Sequence, residues 1–251
     1  MGSRTLLALV KTGAVAGLVA GLAMGLFHFV VSEPIIDEAI ALEEAALAAQ
    51  GETAGESEGP IVSRGAQKGM LVLGSGLLGV FIGVVFAGAY RLTRTYLPGA
   101  DDLLKVGALA VTAWWSVAFL PFLKYPANPP AVGDPETIYL RQTIYLVFLL
   151  LSVAAVVIAA VAHRRLRGVG WGGTAAGLSA LGLYGVLATT LFVLMPPNPD
   201  EVMIPAGLLW NFRIASLFGA MFQWGVLGGA FGLIWRRTSS AQAAQPGAAT
   251  A

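Results

Sequence analysis

The sequence contains no cysteine and only two histidines among 251 residues. That excludes a disulfide framework, a thiolate metal site and a cysteine nucleophile, and two histidines without cysteine argue against a catalytic zinc site. Charge is equally scarce. Asp, Glu, Lys and Arg make up 12% of the chain, where soluble domains carry about 25%. No Walker loop and no dinucleotide fingerprint is present. Net charge is +1, which gives no reason to expect nucleic acid as a partner. The sequence predicts no enzyme. What it has in excess is apolar residues, 57% of the chain, and mean hydropathy is +0.75. Membrane lipid is the partner this composition implies.

Six apolar runs are long enough to cross a bilayer, at about 6–31, 70–90, 106–123, 143–162, 173–194 and 214–235. The first could also be a signal peptide with Arg4 and Lys11 as its basic flank, but it is read here as a retained span with Lys11 snorkelling to the interface. Gly13, Gly17, Gly21 and Gly25 form a small-xxx-small row along it, which lets a second helix approach closely. Residues 33–50 carry an apolar stripe of Ile35, Ile36, Ala39, Ile40 and Leu42 with Asp37, Glu38 and Glu44 off it. This predicts an amphipathic helix on the membrane surface. Gly51 to Gly59 predicts a mobile polar loop, and residues 238–251 a disordered tail. Residues 1–237 are taken as one six-helix membrane domain.

Basic residues divide sharply between alternate flanks of these spans. Ten lie at the amino terminus, in the second and fourth loops and at the carboxyl terminus; five lie on the other flanks. The positive-inside rule then places both termini in the cytoplasm and twelve of the fourteen acids outside. The fold class is an all-α polytopic membrane protein, six transmembrane helices arranged as three hairpins, with an amphipathic interfacial helix on the outer face.

Two polar loops on that face repeat one pattern: Asn-Pro, then acids, then an arginine at a helix start. The first runs from Lys124 to Arg141 with prolines at 126, 129, 130 and 135, which predict that the segment is neither helix nor central strand. The second runs from Met195 to Arg213. Asn128 with Arg141, and Asn198 with Arg213, are candidates for pinning each loop, the arginine pairing with acids of its own loop. Simple snorkelling is the alternative for both arginines. His28, Glu33, Asp37, Asp134, Glu136, Asp200 and Glu201 are the candidate entrance for a metal ion. Carboxylate oxygens suit divalent cations, and an imidazole inside a span suits a first-row transition metal. The competing reading is that outer loops are acidic because basic residues are excluded from them, and that His28 hydrogen-bonds a neighbouring helix. Trp114, Trp115, Trp171, Trp210 and Trp235 read as interfacial or lipid-facing anchors.

Glu33-Pro34 and its acidic segment, the run from Val62 to Lys68, Asn128 to Thr137, Pro196 to Asp200 and Leu208 to Ser216 together resemble the CbtA family of probable cobalt transporter subunits. The resemblance covers about Leu6 to Trp235, and Asn-Pro-Pro-Ala-Val-Gly-Asp-Pro-Glu is its most specific piece. It implies a multi-pass protein of the bacterial inner membrane, Co2+ as the transported ion with no resident cofactor, and a small His-rich single-span partner, CbtB. Many members carry histidines in the first outer loop. Here Gln50 to Pro60 has none, so capture by imidazole would rest on His28 or on the partner. The rival expectation is a non-transporting accessory subunit of a larger membrane complex.

Overall fold

The computed structural model describes residues 3–49, 62–97, 99, 101–130, 132–200, 202 and 204–243. The described residues contain helices and connecting loops but no strand. They comprise α1 (Ser3–Val31), α2 (Glu33–Ala49), α3 (Arg64–Thr93), α4 (Asp102–Ala113), a π-helical turn (Trp114–Phe119), α5 (Leu120–Lys124), a 3-10 turn (Pro135–Thr137), α6 (Ile138–Gly168), α7 (Gly173–Leu194) and α8 (Ala206–Ala243). Six helical stretches are long and apolar enough to cross a membrane, as expected. Most run past their apolar cores. Ser63 caps α3, its hydroxyl accepting from the Ala66 N–H, so the polar turn Arg64–Lys68 is already helical. The basic run His163–Arg167 ends α6 instead of forming a turn. α8 continues through Thr238–Ala243, where a disordered tail was expected, because Ala and Gln propagate a helix well once it has started. The remainder of that tail and the loop of Gly51 to Gly59 lie outside the described residues.

The chain divides into two compact units, one comprising residues 1–112 and 210–251, the other residues 113–209. In the first, α1 and α3 pack antiparallel through glycine. A Cβ on Gly17 would stand 2.9 Å from the Gly83 Cα and closer still to the Gly79 carbonyl oxygen. Gly13 and Gly21 meet Gly83 and Ser75 in the same way. The predicted row is therefore a helix contact, and its counterpart is the Ser75-Gly79-Gly83 row of α3. Below it, Leu9, Phe86, Tyr90, Val106, Leu227, Phe231 and Trp235 join α1, α3, α4 and α8 in one buried cluster. Trp235 is 2% exposed, which corrects its reading as a lipid-facing anchor. It continues the i, i+4 row of Leu227 and Phe231, and that row faces Tyr90.

In the second unit the π-helical turn has an identifiable cause. Pro121 has no N–H to offer the Ser116 carbonyl five residues earlier in the π register. The Ser152 hydroxyl of α6 donates to that carbonyl at 2.8 Å, in a fully buried position. One side chain thus replaces a missing backbone donor.

Candidate functional site

The predicted site residues fall into two groups, one in each unit. In the first unit, α2 begins two residues after α1 ends, and this brings Glu33 and Asp37 onto one face, a turn apart. Arg64 and Lys68 stand at the same spacing on the first turns of α3. The two pairs meet. Arg64 Nη2 donates to Glu33 Oε2 at 2.5 Å and to Asp37 Oδ1 at 3.0 Å, with its Nε 3.1 Å from the same Asp37 oxygen. Lys68 Nζ lies 2.6 Å from Asp37 Oδ2 and 3.7 Å from Glu33 Oε2. Glu33 is 5% exposed; Asp37 is open to solvent. The hydrogen bond from Lys68, then that from Arg64, holds the Asp37 carboxyl below its ordinary value. Two carboxylates and two cations form a quartet of zero net charge.

His28 lies one turn before Ser32, and its Nδ1 is 2.7 Å from the Ser32 hydroxyl. The other side of the ring, Cε1 and Nε2, rests on α8, 2.5 Å from where a Cβ of Gly219 would be. Only a glycine fits there. Phe27 and Phe222 meet at 6.0 Å beside this contact. Arg213, an expected loop pin, is half-buried on the first turns of α8 in this unit.

The second unit holds the two Asn-Pro loops, and it clasps them to each other. Asp200, with a side chain 4% exposed, forms an ion pair with Arg141, whose Nε lies 2.9 Å from Oδ2, and accepts from the Thr137 hydroxyl at 2.8 Å. Arg141 was expected to pair with acids of its own loop. Its ion pair is instead with the second loop, while its own loop supplies the carbonyls of Val132 and Asp134. Gly133 makes this possible. Its φ of +102° suits glycine, and a Cβ there would strike the Asp200 carboxylate and stand 2.8 Å from Arg141 Nη1. Tyr125 donates to the Pro196 carbonyl at 2.7 Å and Lys124 to the Phe192 carbonyl at 2.8 Å. Burial pushes the Tyr125 hydroxyl above the ordinary tyrosine value. Asp134 caps the 3-10 turn by accepting from the Glu136 N–H, and Asn198 accepts from the Asp200 N–H. Asn128 is half-buried in the extended part of its loop, and Glu136 is exposed. Glu201 lies outside the described residues. The long polar stretch was expected to be free of helix, but Pro135–Thr137 is a 3-10 turn and Ile138–Arg141 the first turn of α6, because no proline follows Pro135 in it, and Pro135 itself suits a first helical turn.

The seven candidate metal residues are thus not assembled into one centre. Among the described residues no three of His, Asp and Glu come together as metal ligands. Reading the sequence alone missed Arg64, Lys68, Ser32 and Gly219. The matched i, i+4 spacing of the acids and bases was the available signal for the first two.

A family model described as "Probable cobalt transporter subunit (CbtA)" matches residues 6–236. No curated protein and no solved structure matches the chain.

Proposed function

The chain belongs to the CbtA family of probable cobalt transporter subunits, and from that premise we propose that it is the membrane-embedded subunit of a bacterial inner-membrane Co2+ uptake system. The observation that carries the proposal is the buried carboxylate of Glu33 at the α2 end of the first span, within two turns of His28. The charge rule makes this the outer end, with both termini in the cytoplasm and α2 on the outer surface. The quartet works as a charge-matched plug. One divalent cation supplies the same two positive charges as Arg64 and Lys68, so it can take over Glu33 and Asp37 while the two basic side chains swing to water. The exchange leaves the site neutral, which avoids stranding a buried charge. The membrane potential then favours inward movement of a divalent ion by about 4.6 kcal/mol per 100 mV.

Glu33→Gln removes the charge and leaves the shape. Cobalt accumulation in cells is expected to fall about tenfold at equal protein level, and His28→Ala to lower it as well. Unchanged accumulation in both variants would remove the proposed entrance. A second reading, a non-transporting accessory subunit, is favoured by the lack of any three-ligand group among the described residues. Gentle extraction followed by mass spectrometry separates the two. Recovery alone or with a small His-rich single-span chain supports uptake, whereas stoichiometric recovery with a large assembly supports the accessory role.

A further inference from the structure

α2 is buried at its base and exposed beyond it. Glu33 and Ala39 are buried and Ile35, Ile36 and Ile40 half-buried, whereas residues 41–45 and 48–49 are exposed. A single residue, Ser32, separates α2 from α1. Backbone bonds cross this joint from the Ser32 N–H to the His28 carbonyl and from the Ile36 N–H to the Ser32 carbonyl. Pro34, between them, has no N–H to offer the Val30 carbonyl, and a proline at such a place makes a pivot. The His28 ring holds the Ser32 hydroxyl at 2.7 Å and so anchors the base of the pivot. Beyond that base, every ion pair of α2 among the described residues is made with Arg64 or Lys68 of α3.

The exchange by which a divalent cation takes over Glu33 and Asp37 therefore has a mechanical consequence. If the ion, both carboxylates and both basic side chains stayed together, the cluster would carry uncompensated positive charge beside a buried group, which is costly. The basic side chains must leave, and they are what ties α2 to α3. We propose that Arg64 and Lys68 are a latch on α2, and that a divalent cation on Glu33 and Asp37 opens it. As the ion binds, α2 leaves α3 and turns on the joint of Ser32 and Pro34. A monovalent cation supplies half the charge and leaves one basic side chain in place, so the latch stays shut. Ion and latch compete for the same carboxylates, so each weakens the other by the same factor. The latch rests on the uptake reading for its biological ion, but not for its test.

The test uses the full chain purified in detergent. Acylation by an N-hydroxysuccinimide ester, read at Lys68 by mass spectrometry, reports the latch, because a lysine held by carboxylates is shielded and protonated. Co2+ is expected to raise Lys68 acylation severalfold, K+ at equal ionic strength to raise it far less, and Lys11 and Lys105 to respond to neither. The position of α2 is followed by the distance between nitroxide labels on Glu44→Cys and Ala66→Cys, both exposed positions. Zn2+, with the same charge and no unpaired electron, is the ion for that measurement. The distance is expected to change when Zn2+ is added, and to be changed already in the ion-free double variant Arg64→Gln, Lys68→Gln. Lys68→Gln alone removes a competitor and is expected to tighten Co2+ binding about tenfold, whereas a tie that only braces the site predicts weaker binding. Lys68 acylation unmoved by saturating Co2+, a fixed label distance, or Co2+ binding in Lys68→Gln no tighter than in wild type overturns the latch. If Glu33→Gln lowers cellular cobalt while Co2+ leaves Lys68 shielded, the latch falls and uptake stands. If Co2+ frees Lys68 in the purified chain while cells gain no cobalt from it, uptake falls and the latch stands.

Discussion

The bond from Ser152 to the Ser116 carbonyl shows how one side chain decides local backbone geometry. Ser152→Ala removes that buried hydrogen bond, a loss of about 1–3 kcal/mol. Pro121→Ala in the same background restores an N–H five residues after Ser116, so the double variant is expected to recover most of the loss. Thermal melts of the four proteins form a cycle, and simple additivity of the two changes would overturn the account. None of this was legible beforehand. Pro121 is visible in the third apolar run, but the hydroxyl that compensates it comes from 31 residues further along and from another helix. The same limit applies to Arg141. Its place at a helix start was readable, while its partner was not, because Asp200 and Thr137 meet it only when two loops fold together.

Helices were more legible than their neighbours. An apolar run announces a span, and a glycine every four residues announces a contact face, but neither says what packs there. For α1 the partner is α3, whose Gly79 and Gly83 have no Cβ to hold the backbones apart. Gly17→Leu is therefore expected to cost about 1–3 kcal/mol or more by forcing the pair apart. Lower yield and a lower melting temperature check it; a variant as stable as wild type would mean that the helices are not this close.

The quartet ties α2 to the start of α3 and gives that tie a pH dependence. Asp37 has its carboxyl lowered from 3.8, with the Lys68 and Arg64 hydrogen bonds as the leading causes. A lowered carboxyl favours the folded state above its ordinary value, and that contribution disappears as pH falls through the folded one. The protection of the α2 amides, measured against their intrinsic exchange rate at each pH, is expected to be high at pH 5 and to fall below about 3.8, the ordinary value of an aspartate. Asp37→Asn should remove this acid step, and persistence of the step would assign it to another group. Since Asp37 is open to solvent, salt is expected to weaken the tie at every pH.

At the scale of the whole molecule, the side of the membrane that each loop faces decides what its acids can do. The charge count is a statement about insertion, and labelling from either side of the membrane tests it directly. The chain offers a clean way to measure it, because with no native cysteine every introduced thiol is the only one. Pro197→Cys and Thr95→Cys are suitable, since Pro197 is exposed in the second Asn-Pro loop and Thr95 lies in the turn after α3. In intact cells a membrane-impermeant maleimide is expected to label Cys at 197 and to spare Cys at 95, with both labelled after permeabilisation. The opposite pattern would put the Glu33 quartet on the cytoplasmic side. It would then stand at the exit of an inward path, and the potential that draws a divalent ion inward would pull cations away from the quartet's outer neighbours toward it. An acidic mouth serves capture only if it faces the dilute ion, so labelling decides whether Glu33 and Asp37 gather cobalt or release it.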